Sequence, residues 1–282
     1  MRVTFVLLLA TAILAGCDNN QDNDPSGAKR DAASQQTGNA QENTVELVRI
    51  LHTLEKTDEQ CQGDGCPRVE LEWITFENQP ALNKAITTQL AGMLVQNEGN
   101  SPHDGTIEGL ADAFLADASD MAMASRQGWE LNATIKRQSR RGGLLTLRMD
   151  SYEYTGGAHG QPGVQYFHWD LDRQQKLTLD DLLEPGQQQA FWELARSQHQ
   201  QWLDEEKLDQ TFRDSWPFDR TDNVYFDRNG LVLHYNVYHI APYAMGQPTL
   251  TIPYEQLDGI VRGKYLGEAV ESSKFQVEKA RE

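Results

Sequence analysis

The sequence predicts an α+β fold, an antiparallel sheet packed with about three helices, and three observations predict it. Apolar residues recur at helical spacing between Pro80 and Ala122. From Trp129 onward the period becomes two, the mark of strands with one buried face. Helices and strands are interspersed but do not alternate in the regular way that builds a parallel sheet.

Arg68 to Phe76 reads as a strand with Val69, Leu71 and Trp73 on one face. Pro80 suits the first turn of a helix, where its missing N–H would be unpaired anyway. Leu82, Ile86, Leu90, Met93 and Leu94 then form one stripe. Gln96 to Thr106 is polar and carries Gly and Pro, so it is a loop. Ile107, Leu110, Ala111, Phe114, Leu115, Ala118, Met121 and Ala122 give a second amphipathic helix.

Trp129, Leu131, Ala133 and Ile135 share one face of a strand. Leu145, Leu147, Met149, Tyr152 and Tyr154 suggest a second strand with a register shift or bulge. Between them, Lys136 to Gly143 (KRQSRRGG) reads as a hairpin tip, either a solvated turn or an anion contact. Val164 to Leu171 is a strand with Phe167, Trp169 and Leu171 on one face. His168 falls on the other face, expected to be polar and outward. Lys176 to Leu183 is a short strand entering a turn, and Gln187 to Leu203 a third helix. Val224 to Leu233 is a hairpin, because Asn229-Gly230 tolerates positive φ. Strands near Leu231 to Val237 and Thr249 to Ile252 follow, and no internal repeat is visible.

The N-terminus carries an address. Residues 1–16 hold one charge, Arg2, and an uncharged run from Val3 to Gly16. A spanning helix needs about 20 apolar residues, so the run suits an export signal instead. It ends in Leu14-Ala15-Gly16-Cys17, which resembles the bacterial lipobox. That resemblance implies a lipidated Cys17, with acyl chains that anchor the protein stably. It places the protein in the periplasm, held on the membrane through the lipid alone. Asp18 resembles the residue that retains lipoproteins in the inner membrane of enteric bacteria, with the outer membrane as the other destination.

Residues 17–44 form the anchor and linker. Asp18 to Thr44 contains no Val, Ile, Leu, Met, Phe, Tyr or Trp, too little apolar surface to offset ordering entropy. Such a tether spans roughly 30 Å as a flexible coil. The body is 45–282.

The chain carries 25 Lys+Arg against 42 Asp+Glu, a net charge of −17. From Val45 onward there are 22 basic and 37 acidic residues, so the body itself carries −15. A nucleic-acid binder needs a basic surface to release counterions, and a polybasic membrane face is equally excluded. An acidic body attracts cationic partners and stays soluble.

Cys61 and Cys66 are the remaining cysteines, spaced C-x4-C around Gln62-Gly63-Asp64-Gly65. An oxidising compartment favours a disulfide here, contributing about 2 kcal/mol at most for so small a loop. The rival, half a zinc site, lacks further cysteine ligands.

No G-x-S-x-G, H-E-x-x-H, phosphate-loop or dinucleotide fingerprint is present, so no catalytic residue, metal or cofactor is expected. His234 and His239 lie five apart, on opposite faces of a regular strand, and cannot share a metal there. Asp150 with Glu153, or Asp180 with Asp181, could support acid–base chemistry on a glycan. With 42 acidic residues, such pairs also arise by chance.

Two segments put unusual residues in turns. One is Ser151-Tyr152-Glu153-Tyr154-Thr155-Gly156-Gly157-Ala158-His159-Gly160, followed by Leu177 to Leu182. The other runs Val224-Tyr225-Phe226, Gly230-Leu231-Val232, His239-Ile240-Ala241-Pro242-Tyr243-Ala244-Met245-Gly246 and Thr249 to Tyr254. Together they resemble the RsiV-like extracytoplasmic domain family. That domain of unknown function occurs in lysozyme-sensing anti-sigma factors and beside some peptidoglycan deacetylases. The resemblance runs from about Val69 to Leu257, with a first half near 65–150 and a second near 151–260.

The resemblance implies an α+β domain that binds other molecules. Its expected contacts are Tyr154, Thr155, Gly156, Gly157, Ala158, His159, Pro242 and Tyr243. The expected partner is a cationic cell-wall hydrolase such as lysozyme, or a cell-wall component. The chain shows neither a sigma-binding segment nor a spanning helix, so the binding half of that role is expected here without the sigma-factor half. The alternatives are an enzyme acting on peptidoglycan through acidic residues and a purely structural envelope lipoprotein.

Overall fold

The computed structural model describes residues 46–58, 60–63, 65–95, 101, 103–121, 128–267 and 279–280. The export signal, Cys17, Asp18 and the linker lie outside the described residues. Among the described residues no helix is long and apolar enough to cross a membrane.

The fold is α+β, with two sheets that are mostly antiparallel. The larger has seven strands in the order β10-β1-β2-β3-β4-β5-β6. They are β1 (Arg49–Thr57), β2 (Arg68–Phe76), β3 (Glu130–Arg141), β4 (Leu144–Tyr154), β5 (Gln161–Asp170), β6 (Gln175–Leu177) and β10 (Lys279–Ala280). The smaller holds β7 (Val224–Phe226), β8 (Gly230–His234) and β9 (Thr249–Pro253) in sequence order.

β2 and β3 run parallel, and a parallel pair needs a crossover. Helices α1 (Pro80–Leu94) and α2 (Ile107–Asp120) supply it. Pro80 opens α1, and Leu82, Ile86, Leu90, Met93 and Leu94 are its buried stripe. Thr106 caps α2 by accepting from Gly109 N at 3.0 Å. Both helices pack on the sheet face formed by Val69, Leu71, Trp73, Leu131, Ile135, Leu147, Met149 and Phe167. Each such side chain contributes about 1.5–3 kcal/mol by leaving water.

A second apolar cluster lies around the small sheet. Helix α3 (Leu179–Leu182), helix α4 (Gln188–Glu205) and strands β7 to β9 contribute Leu182, Phe191, Val224, Leu233 and Ile252. Helix α5 (Gln210–Ser215) follows, capped by Asp209 accepting from Phe212 N.

Several expectations change. Strand β1, for which the sequence gives no expectation, has mostly half-buried residues without clean alternation and pairs along its full length with β2. The Lys136 to Gly143 stretch is not a hairpin tip. β3 continues to Arg141, a register irregularity falls between Arg137 and Ser139, and the turn is reduced to Gly142-Gly143. Arg140 and Arg141 are buried rather than solvated, at 4% and 5% exposure.

His168 is buried too, against the expectation of a polar outer face. Both faces of β5 are covered near its end, so His168 Nε2 meets Val224 O at 2.9 Å and Nδ1 meets Thr146 Oγ1 at 3.1 Å. Lys176 to Leu183 contains one helical turn, α3, closed by a reciprocal Thr178–Asp181 capping box.

The 224–233 hairpin is present, but not for the expected reason. Neither Asn229 nor Gly230 has a positive φ. The Asp227 carboxylate builds the turn by accepting from Asn229 N (2.7 Å) and Gly230 N (2.9 Å). Glycine is needed at 230 because a Cβ would fall 2.0 Å from Ile252 O on β9.

Candidate functional site

The two loops singled out in the sequence meet. The first leaves β4 at Tyr154 and returns into β5 at Gln161. Gly156 and Gly157 have φ of 102° and 94°, a region closed to ordinary side chains. The tight turn they allow lets Tyr154 Oη donate to Gly157 O at 3.0 Å. Thr155, Gly157 and Ala158 are exposed at its tip, and His159 is half-buried.

The second loop follows β8. The expected strand to Val237 stops at His234, and the chain turns through Asn236 and Tyr238. Tyr238 has φ of 64°, a strained value for a bulky side chain, and is 49% exposed. Ile240 and Ala241 are buried and hold the loop down. Pro242 then starts a 3-10 turn over Tyr243–Met245.

His159 joins the two. Its imidazole stacks on the Tyr243 ring with centroids 3.7 Å apart and 16° between planes. His159 Nε2 lies 3.1 Å from Tyr238 Oη, and Nδ1 lies 3.1 Å from Gly160 O. The carbonyl can only accept, so the network assigns the proton to Nδ1 and makes Tyr238 the donor to Nε2. Tyr243 Oη also donates to Gly160 O, at 3.0 Å. The result is a pre-ordered aromatic patch with Tyr238 outermost.

Beneath it, side chains finish the edge of the large sheet. Asn236 Oδ1 accepts from Val164 N at 2.9 Å. Asn223 Oδ1 accepts from Tyr166 N, and its Nδ2 donates to Val164 O, both at 2.8 Å. Gln247 Nε2 donates to Asn236 Oδ1 at 3.0 Å. These amides replace the strand that β5 lacks along this stretch, so the patch stands on a fixed base.

The candidate carboxylates are held by neighbouring groups. Asp150 takes Arg148 Nε and Nη2 at 2.7–3.0 Å. Asp150 and Glu153 are three apart on β4, an odd spacing that points them to opposite faces. Asp181 is held below the usual carboxylate range by the Thr178 N–H and hydroxyl. A general acid needs the opposite shift. His234 is buried beside Tyr166 and Arg148, while His239 Nε2 reaches out to Asp219 at 3.1 Å. Cys61 and Cys66 form a disulfide with Cα atoms 5.6 Å apart.

The sequence singles out Tyr154 to His159, Pro242 and Tyr243, which the structure brings together, and does not single out Tyr238, Asn223 or Asn236 beside them. The two asparagines sit in unremarkable polar positions, and Tyr238 directly follows the strand expected to end at Val237. Only its φ marks it.

Two family models match the chain: the deacetylase PdaC over residues 64–161 and a protein of unknown function (DUF3298) over residues 180–255. His159 lies in the first and Tyr243 in the second, so the stack joins the two matched segments. No curated protein matches. Among solved structures, a DUF3298 family protein from Pseudomonas aeruginosa PAO1 is 32% identical, with a TM-score of 0.68, covering 79% of this chain and 97% of that one. A DUF3298 family member from Bacteroides fragilis has the same fold at 19% identity, with a TM-score of 0.62 and coverage of 79% and 96%. With about a third of residues identical over nearly the whole of the Pseudomonas relative, this chain belongs to the DUF3298 family.

Proposed function

We propose that this protein is a lipid-anchored extracytoplasmic binding protein. Its aromatic patch receives a cationic cell-wall hydrolase, for which lysozyme is the test partner. The observation that carries this reading is Tyr238: a large exposed ring held at a strained φ by a stack assembled from both loops. Backbone strain collects where a surface is kept ready for a ligand. An amphipathic, pre-positioned tyrosine is the side chain that anchors protein interfaces. The body charge of −15 would speed encounter with a basic partner. The resemblance to lysozyme-sensing RsiV-like domains supports the same choice of partner.

Purified protein is titrated against lysozyme at about 20 and about 150 mM salt. Binding that weakens with salt, and weakens further in Tyr238→Ala, is expected. No binding at either salt overturns the lysozyme assignment. Cys17→Ala tests the anchor separately, and should move the protein from the membrane to the soluble fraction.

A further inference from the structure

A pocket of about 530 Å³ lies away from the aromatic patch, lined by Gln138, Ser139, Arg141, Phe226, Arg228 and Tyr254 together with the neighbouring Asp227, Leu266 and Gly267. Its volume is in the range of small-molecule sites. The irregularity in β3 between Arg137 and Ser139 opens one wall, and the turn after β7 forms the other. Bulges re-aim side chains in this way next to binding sites.

The charge state of the wall is unusual. Arg141 is 5% exposed, and its guanidinium lies 5.2 Å from the centres of both the Phe226 and Tyr254 rings. It donates to Gly267 O and, at 2.8 Å, to Asp227 O. Its Nε has no hydrogen-bond partner. Among the described residues no carboxylate lies within ion-pair distance of Arg141 or of the exposed Arg228. The Asp227 carboxylate is committed to its own turn. Carbonyls and ring faces offset part of the cost of burying a cation, but a buried charge is normally paired with an opposite one.

We propose that this pocket binds a small monocarboxylate with an apolar body. The carboxylate sits between Arg141 and Arg228, and the body lies against Phe226, Tyr254 and Leu266. The single charge follows from the acidic body, whose field repels polyanions but is overcome locally by two guanidinium groups. Arginine forks suit a planar carboxylate.

The probe is phenylacetate, with phenylacetamide as its uncharged isostere and sulfate as an inorganic anion. Calorimetry and the Arg141 Nε–H resonance are followed on the intact protein. Saturable phenylacetate binding that moves the Arg141 signal is expected, with the amide weaker by about tenfold or more. Arg228→Gln, a change at an exposed position, should weaken phenylacetate several-fold without lowering the melting temperature. The proposal is overturned by no saturation up to about 10 mM, by equal affinity for acid and amide, by Arg228→Gln binding like the parent, or by sulfate binding as tightly as phenylacetate.

Discussion

The imidazole of His159 lies flat on the ring of Tyr243, 3.7 Å between centroids, and both side chains also contact the Gly160 carbonyl. One stack and two polar contacts, Tyr238 Oη to His159 Nε2 and Tyr243 Oη to Gly160 O, therefore close the loop after β4 onto the turn before β9. His159→Ala removes the stack and leaves Tyr238 Oη without its acceptor, which should cost about 1–2 kcal/mol. Tyr243→Phe keeps the stack and loses one hydrogen bond, so about 1 kcal/mol is expected. Urea denaturation of the two variants checks the order. A larger loss for Tyr243→Phe would show that the stack is not the main tie.

Tyr238 tests whether the patch is strained for use. Glycine occupies φ of 64° without penalty, so Tyr238→Gly relieves strain of about 1 kcal/mol while losing the bond to His159 and adding chain entropy to the unfolded state. These nearly cancel, and the melting temperature should stay close to the parent. Partner binding should fall at least about tenfold, as for a central aromatic anchor. A variant that binds as well as the parent would reduce Tyr238 to a turn residue.

The sequence was readable where one face of an element is wet. The Pro80 helix is found at its true bounds because its stripe is clean, and the Arg68 to Phe76 strand because it alternates from Arg68 to Leu71 before its end is buried on both faces. It was unreadable where both faces are covered. Phe167 and His168 are both buried, so the polar residue on β5 looked outward although a second layer lies over it. Arg140 and Arg141 looked like a solvated turn for the same reason: buried cations held by carbonyls and rings carry no pattern. The site was half legible. Glycines and proline announce loops, whereas Asn223 and Asn236 matter only through the tertiary edge they finish.

That edge gives another prediction. Asn223 supplies both the acceptor for Tyr166 N and a donor to Val164 O. Asn223→Ala leaves Tyr166 N unpaired and Val164 O with only the longer bond from Asn236 Nδ2, and should cost about 1–3 kcal/mol. It also exposes part of a strand edge, so faster aggregation on heating is expected. Asn223→Asp restores the acceptor but not the donor and should fall between. Denaturation and light scattering, run together, decide it; an unchanged Asn223→Ala would mean that water serves the edge equally well.

Acid should weaken the fold through two buried histidines. Burial pushes His168 down to about 4, only partly opposed by the Val224 carbonyl that it contacts, with Thr146 Oγ1 on its other nitrogen and Lys176 adding repulsion. Burial also pushes His234 down to about 4, with Arg148 lowering it further and Asp150 and Gln247 opposing. An unfolded histidine titrates near 6.5. Between about 6.5 and 4 the unfolded chain therefore binds more protons than the folded one, and stability falls as pH falls. Each histidine can withdraw on the order of 3 kcal/mol by the lower end of that window. Asp181, held low by Thr178, adds its loss only at still lower pH. Unfolding free energies measured at several pH values from neutral downward should decline steadily through the histidine window. His168→Gln with His234→Gln should flatten that decline while lowering stability at neutral pH. A double variant with the parental slope would place the proton uptake elsewhere, His199 being the next histidine that burial lowers.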